Sequence, residues 1–173
     1  MLDMGATIIV GGFFGDEGKG KITSYLTLND DLAACVRAGV GPNAGHTIMH
    51  LGKTIKTRLI PSGFVDKETK LLIGPGVLID VEVLLKEIKD IQVSDRLIID
   101  QQCGIIEKKH IESDKRGALK NKISTTGTGT GPANADRALR KIKLAKDVNE
   151  LSMFIGDVPA ELGKLISNNQ TKK

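Results

Sequence analysis

Tryptophan is absent from this chain of 173 residues, and aromatic side chains make up only 3% of it. That scarcity argues against an open platform on which nucleic-acid bases stack. There are two cysteines, Cys35 and Cys103; they make no disulfide framework and fit a reducing compartment, so a cytoplasmic location is expected. No apolar run approaches the roughly 20 residues needed to span a bilayer. The opening Met1-Leu2-Asp3-Met4-Gly5 lacks the basic start and apolar run of a signal peptide. Charge of either sign is nearly balanced, with 25 basic and 21 acidic residues giving +4, a mild bias toward anionic ligands. No internal repeat is found. Length alone predicts one domain, 1–173, around one core.

Short apolar runs rich in branched residues stand at 6–10, 33–36, 71–73 and 97–99. Each is bounded by glycine, aspartate or charged residues, and helical patterns lie between them. This predicts an α/β fold, a mostly parallel sheet flanked by helices. The clearest helix is 81–89, with Asp80 as N-cap and Val81, Leu84, Leu85 and Ile88 at i, i+3, i+4, i+7. The segment 47–59 reads as a hairpin turning near Gly52-Lys53, and Pro61-Ser62-Gly63 as a turn. Segments 147–155 and 159–166 read as two short helices, Pro159 suiting a first turn. The polar stop at 168–173 gives the look of a chain cut at an element boundary.

The run Gly15-Asp16-Glu17-Gly18-Lys19-Gly20-Lys21 follows the first apolar segment and opens a predicted helix whose apolar residues include Ile22, Tyr25 and Leu26. Glycines let the backbone bend tightly and approach a ligand; two lysines supply charge for phosphate. Asp16 can hold a divalent cation or take a proton, and the helix start aims amides and a positive dipole end at the same anion. The spacing resembles a P-loop, but Ile22 stands where a hydroxyl would reach magnesium, leaving Asp16 as the metal candidate. The blander readings are a glycine-rich turn with solvated charges and, for Asp16, a helix N-cap.

Two more glycine-rich loops follow. One, 39–47, leaves the second predicted strand, a usual place for ligand contacts in open α/β sheets. The other, 124–132, is rich in hydroxyls and can wrap a phosphate or serve as a linker. The basic stretch 137–146 carries no acid and calls for a ligand or partner, whereas the basic residues of 108–122 are offset by Glu107, Glu112 and Asp114. Cys35 reads as core, and His50 and His110 as surface. Neither Cys35 with His46 nor Cys103 with His110 has a zinc spacing.

Taken together, Gly15 to Lys21, Asn43-Ala44-Gly45-His46-Thr47, Leu59-Ile60-Pro61-Ser62-Gly63 and Thr125-Thr126-Gly127 with Gly131-Pro132-Ala133 resemble the adenylosuccinate synthetase family, in the family's order. Asn134-Ala135-Asp136-Arg137 is most similar to its shorter, archaeal-type members. The resemblance implies GTP-dependent ligation of L-aspartate to inosine monophosphate (IMP) with Mg2+, through a phosphorylated nucleotide. It implies Asp16 as base and magnesium ligand, His46 as general acid, and the Gly45 carbonyl as a second magnesium contact. GTP contacts carried over are Gly15, Asp16, Glu17, Gly18, Lys19, Gly20, Lys21, Gly45, His46 and Thr47. Those to IMP are Asp16, Glu17, Gly18, Lys19, Asn43, Ala44, Gly45 and His46, with Thr126 at its phosphate. Arg140 matches an arginine that reaches the neighbouring subunit's nucleotide, which implies a homodimer.

The sequence departs from the family at Gly11-Gly12-Phe13-Phe14, where Gln-Trp is usual, and at Thr128, where many members carry arginine. The match covers roughly the first half of the family's chain, without its aspartate loop or guanine-selecting site. The alternatives are therefore a nucleotide-binding remnant without turnover and, more weakly, a nucleic-acid binder using 137–146.

Overall fold

The computed structural model describes residues 5–13, 15, 17–116 and 126–167. In chain order the elements are α1 (Lys19–Asn29), β1 (Ala34–Arg37), the hairpin β2 (His46–His50) and β3 (Lys53–Thr57), β4 (Lys70–Ile73), β5 (Leu78–Ile79), α2 (Val81–Ile91), β6 (Leu97–Asp100), β7 (Gly104–Ile105), α3 (Lys108–Arg116), α4 (Thr130–Ala138), β8 (Ile155–Gly156) and α5 (Val158–Ser167). Short 3-10 turns occupy Ser62–Val65, Ala145–Asp147 and Asn149–Phe154.

The central sheet is parallel, in the order β1-β4-β6-β8, with Val36 opposite Leu72 and Leu72 opposite Ile98. The central strands β4 and β6 read as apolar runs because both of their faces are covered. Leu71, Leu72, Ile73 and Ile99 are wholly buried, and Leu59, Ile60, Leu84 and Leu151 close over them. A smaller parallel pair, β5 and β7, lies beside this sheet. Helix α2 follows its sequence signals. Asp80 Oδ1 accepts the Val83 amide at 3.1 Å, and Leu84 and Ile88 point inward. The hairpin turns at Leu51 and Gly52, both at positive φ, the backbone twist that two-residue turns require.

Three expectations need correction, and helix α1, predicted, packs in an unexpected way. Segment 6–10 forms no strand, and Ile8 and Val10 are 84% and 81% exposed. A strand sequence becomes a strand only when a neighbour takes its amides and carbonyls, and no described strand pairs with this one. Helix α1 turns its small polar side inward, burying Gly20, Ser24 and Thr27 against the 3-10 turn at Ser62–Val65. Ser24 and Thr27 donate to carbonyls of their own helix, which satisfies them in the dry contact. Ile22, Tyr25 and Leu28 face solvent. The region 147–155 is 3-10 turn ending in β8 rather than an α-helix, with Leu151 and Phe154 buried in the core beside the sheet; 159–166 is helical as predicted.

His110, predicted at the surface, is 3% exposed. Its Nδ1 accepts the Glu107 amide at 2.9 Å, and its Nε2 lies 3.0 Å from Asp136 Oδ2. It caps the start of α3 as a capping-box acid would, while tying α3 to α4. Of the flanking charges, Lys108, Glu112, Lys115 and Arg116 are exposed, while Lys109 pairs with Asp136 and Asp114 accepts the Gly129 amide at the start of α4.

Candidate functional site

Gly18 caps the start of α1 in a left-handed conformation, φ 78°, and Gly15 also has positive φ. Both positions demand glycine. Within the loop, Glu17 pairs with Lys19 and accepts the Phe13 amide, and these two donors hold its carboxyl below the usual range. Lys21 is exposed. Asp16 and Phe14 lie outside the described residues.

Gly20 carries the loop into contact with the second motif. A Cβ at Gly20 would stand 2.8 Å from His46 Cβ, 2.9 Å from its Cγ and 3.1 Å from Ser62 Oγ. The missing side chain is the space in which α1, His46 and Ser62 meet. Gly20→Ala is therefore expected to cost about 1–3 kcal/mol by overpacking, read as a lower urea midpoint. Gly12→Ala, where a Cβ meets nothing within 4 Å, should leave the midpoint unchanged.

His46 opens β2 and is half-buried. Ser62 Oγ lies 3.0 Å from its Nδ1. Arg37 Nη1 lies 3.2 Å from Nδ1 and 3.1 Å from Nε2. Burial, then Arg37, then Lys19 lower its pKa from 6.5 to about 4, so at neutral pH His46 is an uncharged imidazole. A folded value below the unfolded one means that protonation favours unfolding. His46's contribution to stability is thus complete above about pH 6.5 and lost as pH falls toward 4. Histidine titration followed by NMR on the ligand-free chain should give a His46 midpoint near 4; a midpoint near 6.5 would contradict the arrangement.

Arg37 ends β1 and is 6% exposed. Its Nη2 donates to the carbonyls of Gly41 and Ala44, each at 3.2 Å, so one side chain fixes the bend of the second loop. Burial lowers its pKa, and the Glu87 carboxylate opposes that shift. Glu87 lies on α2 and accepts the amides of Arg58, Leu59 and Ile60 at 2.6, 3.0 and 2.9 Å, anchoring the segment that delivers Ser62. Asn43, Ala44, Gly45 and Thr47 are exposed around His46, as a ligand surface requires.

The third loop approaches the second. Val40 accepts the Leu78 amide at 2.7 Å, and a Cβ at Gly41 would lie 3.7 Å from Thr130 Oγ1. Thr126, Thr128 and Thr130 form a hydroxyl chain with steps of 3.0 and 2.9 Å, while Thr125 and Ser124 lie outside the described residues. Residues 130–138 are the helix α4, not loop or linker. Arg137, read from sequence as needing a ligand, is occupied by the carbonyls of Pro75, Gly76 and Val77. Arg140, at φ 57°, lines a separate cavity of about 520 Å³ with Gly76, Gln102 and Leu144. No contact of Arg140 with His46 is present among the described residues.

No group of three or more His, Cys, Asp or Glu side chains able to hold a metal occurs among the described residues. Among the described residues the second loop offers exposed oxygens at Asn43, Gly45 and Thr47, and the Glu17 carboxylate is already paired with Lys19. Such mostly neutral oxygens fit Mg2+, which keeps several waters and takes other oxygens from phosphates. Sequence reasoning missed Arg37, Glu87 and the part played by Ser62. A charged residue closing an apolar strand was the available signal for Arg37; nothing local marked Glu87, whose three partners lie 27 to 29 residues away.

Residues 8–167 match the family model described as adenylosuccinate synthetase. An adenylosuccinate synthetase of Archaeoglobus fulgidus is 55% identical over 168 residues, 96% of this chain and 50% of that protein. Its Methanocaldococcus jannaschii counterpart is 54% identical over 95% of this chain and 49% of that protein. The chain spans about half the length of the curated relatives it matches. Among solved structures, fully ligated adenylosuccinate synthetase from Plasmodium falciparum superposes with a TM-score of 0.74 at 27% identity, over 94% of this chain and 40% of that one. The fold is also shared with cyanophage S-2L succinoaminodeoxyadenylate synthetase, TM-score 0.73 at 24% identity.

Proposed function

The chain belongs to the adenylosuccinate synthetase family, and we propose that it carries the phosphoryl-transfer loops for GTP-dependent ligation of L-aspartate to IMP. That reaction gives adenylosuccinate, GDP and phosphate through 6-phosphoryl-IMP, a step of purine biosynthesis. The observation that supports this reading best is the close packing of Gly20 against His46, which joins the phosphate loop to the Asn-Ala-Gly-His motif.

Asp16 takes the N1 proton of the hypoxanthine ring, which makes O6 a nucleophile toward the γ-phosphorus of GTP. The O6–P bond forms as the bond to the GDP oxygen breaks. His46 stabilises the charge that develops, as a neutral hydrogen-bond donor from its ring N–H. The lysines Lys19 and Lys21, with the loop amides, neutralise the phosphates. Asp16 and the Gly45 carbonyl would hold Mg2+, which supplies charge neutralisation on the phosphate oxygens. Gly15, Glu17, Gly18, Gly20 and Thr47 line the GTP side. Asn43 and Ala44 line the IMP side, with Thr126 at its phosphate. Arg140 reaches the nucleotide of a second subunit in a homodimer. Two free, buried cysteines suit the cytoplasm.

A second reading is favoured by Ile8, Val10, Phe13 and Tyr25, which are exposed in a chain half the length of its relatives. On that reading the loops bind nucleotides without turnover. Calorimetry with IMP, GTP and magnesium, beside an assay for adenylosuccinate, separates the two. Product supports the ligase, binding without product supports the remnant, and no binding of either nucleotide would defeat both.

A further inference from the structure

The contacts around His46 assign positions to more than the ring itself. One guanidinium nitrogen, Arg37 Nη1, is nearly equidistant from both ring nitrogens, at 3.2 and 3.1 Å. In the plane of the ring that point is blocked by Cε1, so Nη1 lies over the imidazole face. This is a guanidinium nitrogen set against the face of an aromatic ring, with its N–H directed at the ring. A cation in that place opposes a second positive charge on the imidazole.

Among the described residues Ser62 is the remaining hydrogen-bond partner of the ring, through Nδ1 at 3.0 Å. Ser62 is buried, and His46 is the one hydrogen-bond partner of its hydroxyl among the described residues. A buried hydroxyl that accepted a proton from Nδ1–H would leave its own O–H unmade, a cost of about 1–3 kcal/mol. Donating to Nδ1 satisfies both groups. The ring proton then sits on Nε2. Gly20, with no side chain, lets α1 close against Ser62 and the His46 ring and hold the pair in register.

We propose that Ser62 and Arg37 are positioning residues for His46: Ser62 donates to Nδ1, Arg37 covers the ring face, and together they present a neutral Nε2–H donor to the transferring phosphoryl group. Arg37 does this while its own buried Nε has no partner among the described residues, which marks a side chain held for its guanidinium fork. Through the Gly41 and Ala44 carbonyls it also sets the loop that presents the ring. The assignment rests on the role given to His46 above, but its test needs no turnover.

The experiment is long-range proton–nitrogen NMR of the histidine side chains in the full chain at neutral pH, with His46→Asn used to assign the signal. His110, whose Nδ1 accepts the Glu107 amide, provides an internal reference for an Nε2–H ring. His46 should show a protonated Nε2 and an Nδ1 signal shifted by hydrogen bonding. In Ser62→Ala the Nδ1 signal should move to the position of an unbonded nitrogen with Nδ1–H becoming populated, and Ser62→Thr should restore the wild-type pattern. Signals of His110 should stay in place in both, which reports that the variants are folded. A wild-type His46 protonated on Nδ1, or a pattern unchanged by Ser62→Ala, would overturn the proposal. Failure of the ligase assay with this NMR pattern intact would count against the proposed function alone.

Discussion

His46→Asn is expected to lower IMP-dependent γ-phosphoryl transfer from GTP by about 10²- to 10⁴-fold, the range for loss of one acid–base group, while calorimetric affinity for GTP changes little. The asparagine amide is shorter than imidazole and cannot accept from Ser62 and donate onward along the same axis. The ring it replaces sits between Ser62, Arg37 and the start of α1, so that the N–H direction is set before substrate arrives. An interaction made mainly in the transition state lowers the rate without an equal loss in binding. Asp16→Asn should abolish transfer as completely, since an amide cannot take the N1 proton. Wild-type transfer in either variant would remove that residue from the chemistry.

Glu87→Ala is expected to destabilise the chain by about 3–5 kcal/mol, because three amides lose their acceptor and each buried donor left unsatisfied costs about 1–3 kcal/mol. Glu87 accepts three amides from consecutive residues, Arg58, Leu59 and Ile60, and its charge acts on the buried Arg37. Truncation strands three donors together and removes a negative charge that acts on Arg37. Against a typical total of about 5–15 kcal/mol, a loss of this size leaves little reserve. Urea unfolding should rank wild type above Glu87→Gln above Glu87→Ala. The glutamine keeps one acceptor oxygen, but turns an NH2 toward backbone N–H groups. An alanine variant within 1 kcal/mol of wild type, the scale of an ordinary single substitution, would show that the anchor is dispensable.

The consequence for the site is specific. Glu87 holds the 58–60 segment, that segment delivers Ser62 to the His46 ring, and the same negative charge favours the charged form of Arg37. A structural acid on α2 thus supports the geometry of a histidine on β2.

Much of this was legible in the sequence, and for a local reason. The runs 71–73 and 97–99 are β4 and β6 within a residue, because strands buried on both faces are apolar throughout. Asp80 capping α2 and the hairpin turn at Gly52 likewise follow from chemistry within a few residues. Glycine spacing and charge, written in order along the chain, point to phosphate handling at Gly15 to Lys21, and the loop 39–47 leaving a strand points to ligand contacts.

What only the tertiary structure decided depends on partners distant in sequence. The apolar 6–10 segment has strand composition, yet pairing needs a neighbour, and it has none among the described residues. His110 looked solvated beside its lysines, and the packing of α4 buried it. Arg137 looked like a free cation, and three carbonyls from residues 75–77 occupy it. Gly20 read as a turn residue, whereas its lack of a Cβ is what admits His46 and Ser62. Composition and spacing fix which chemistry a residue can perform. Proximity fixes which of those chemistries it performs, because burial and a single charged neighbour change the free energy of a proton by more than any local sequence preference does.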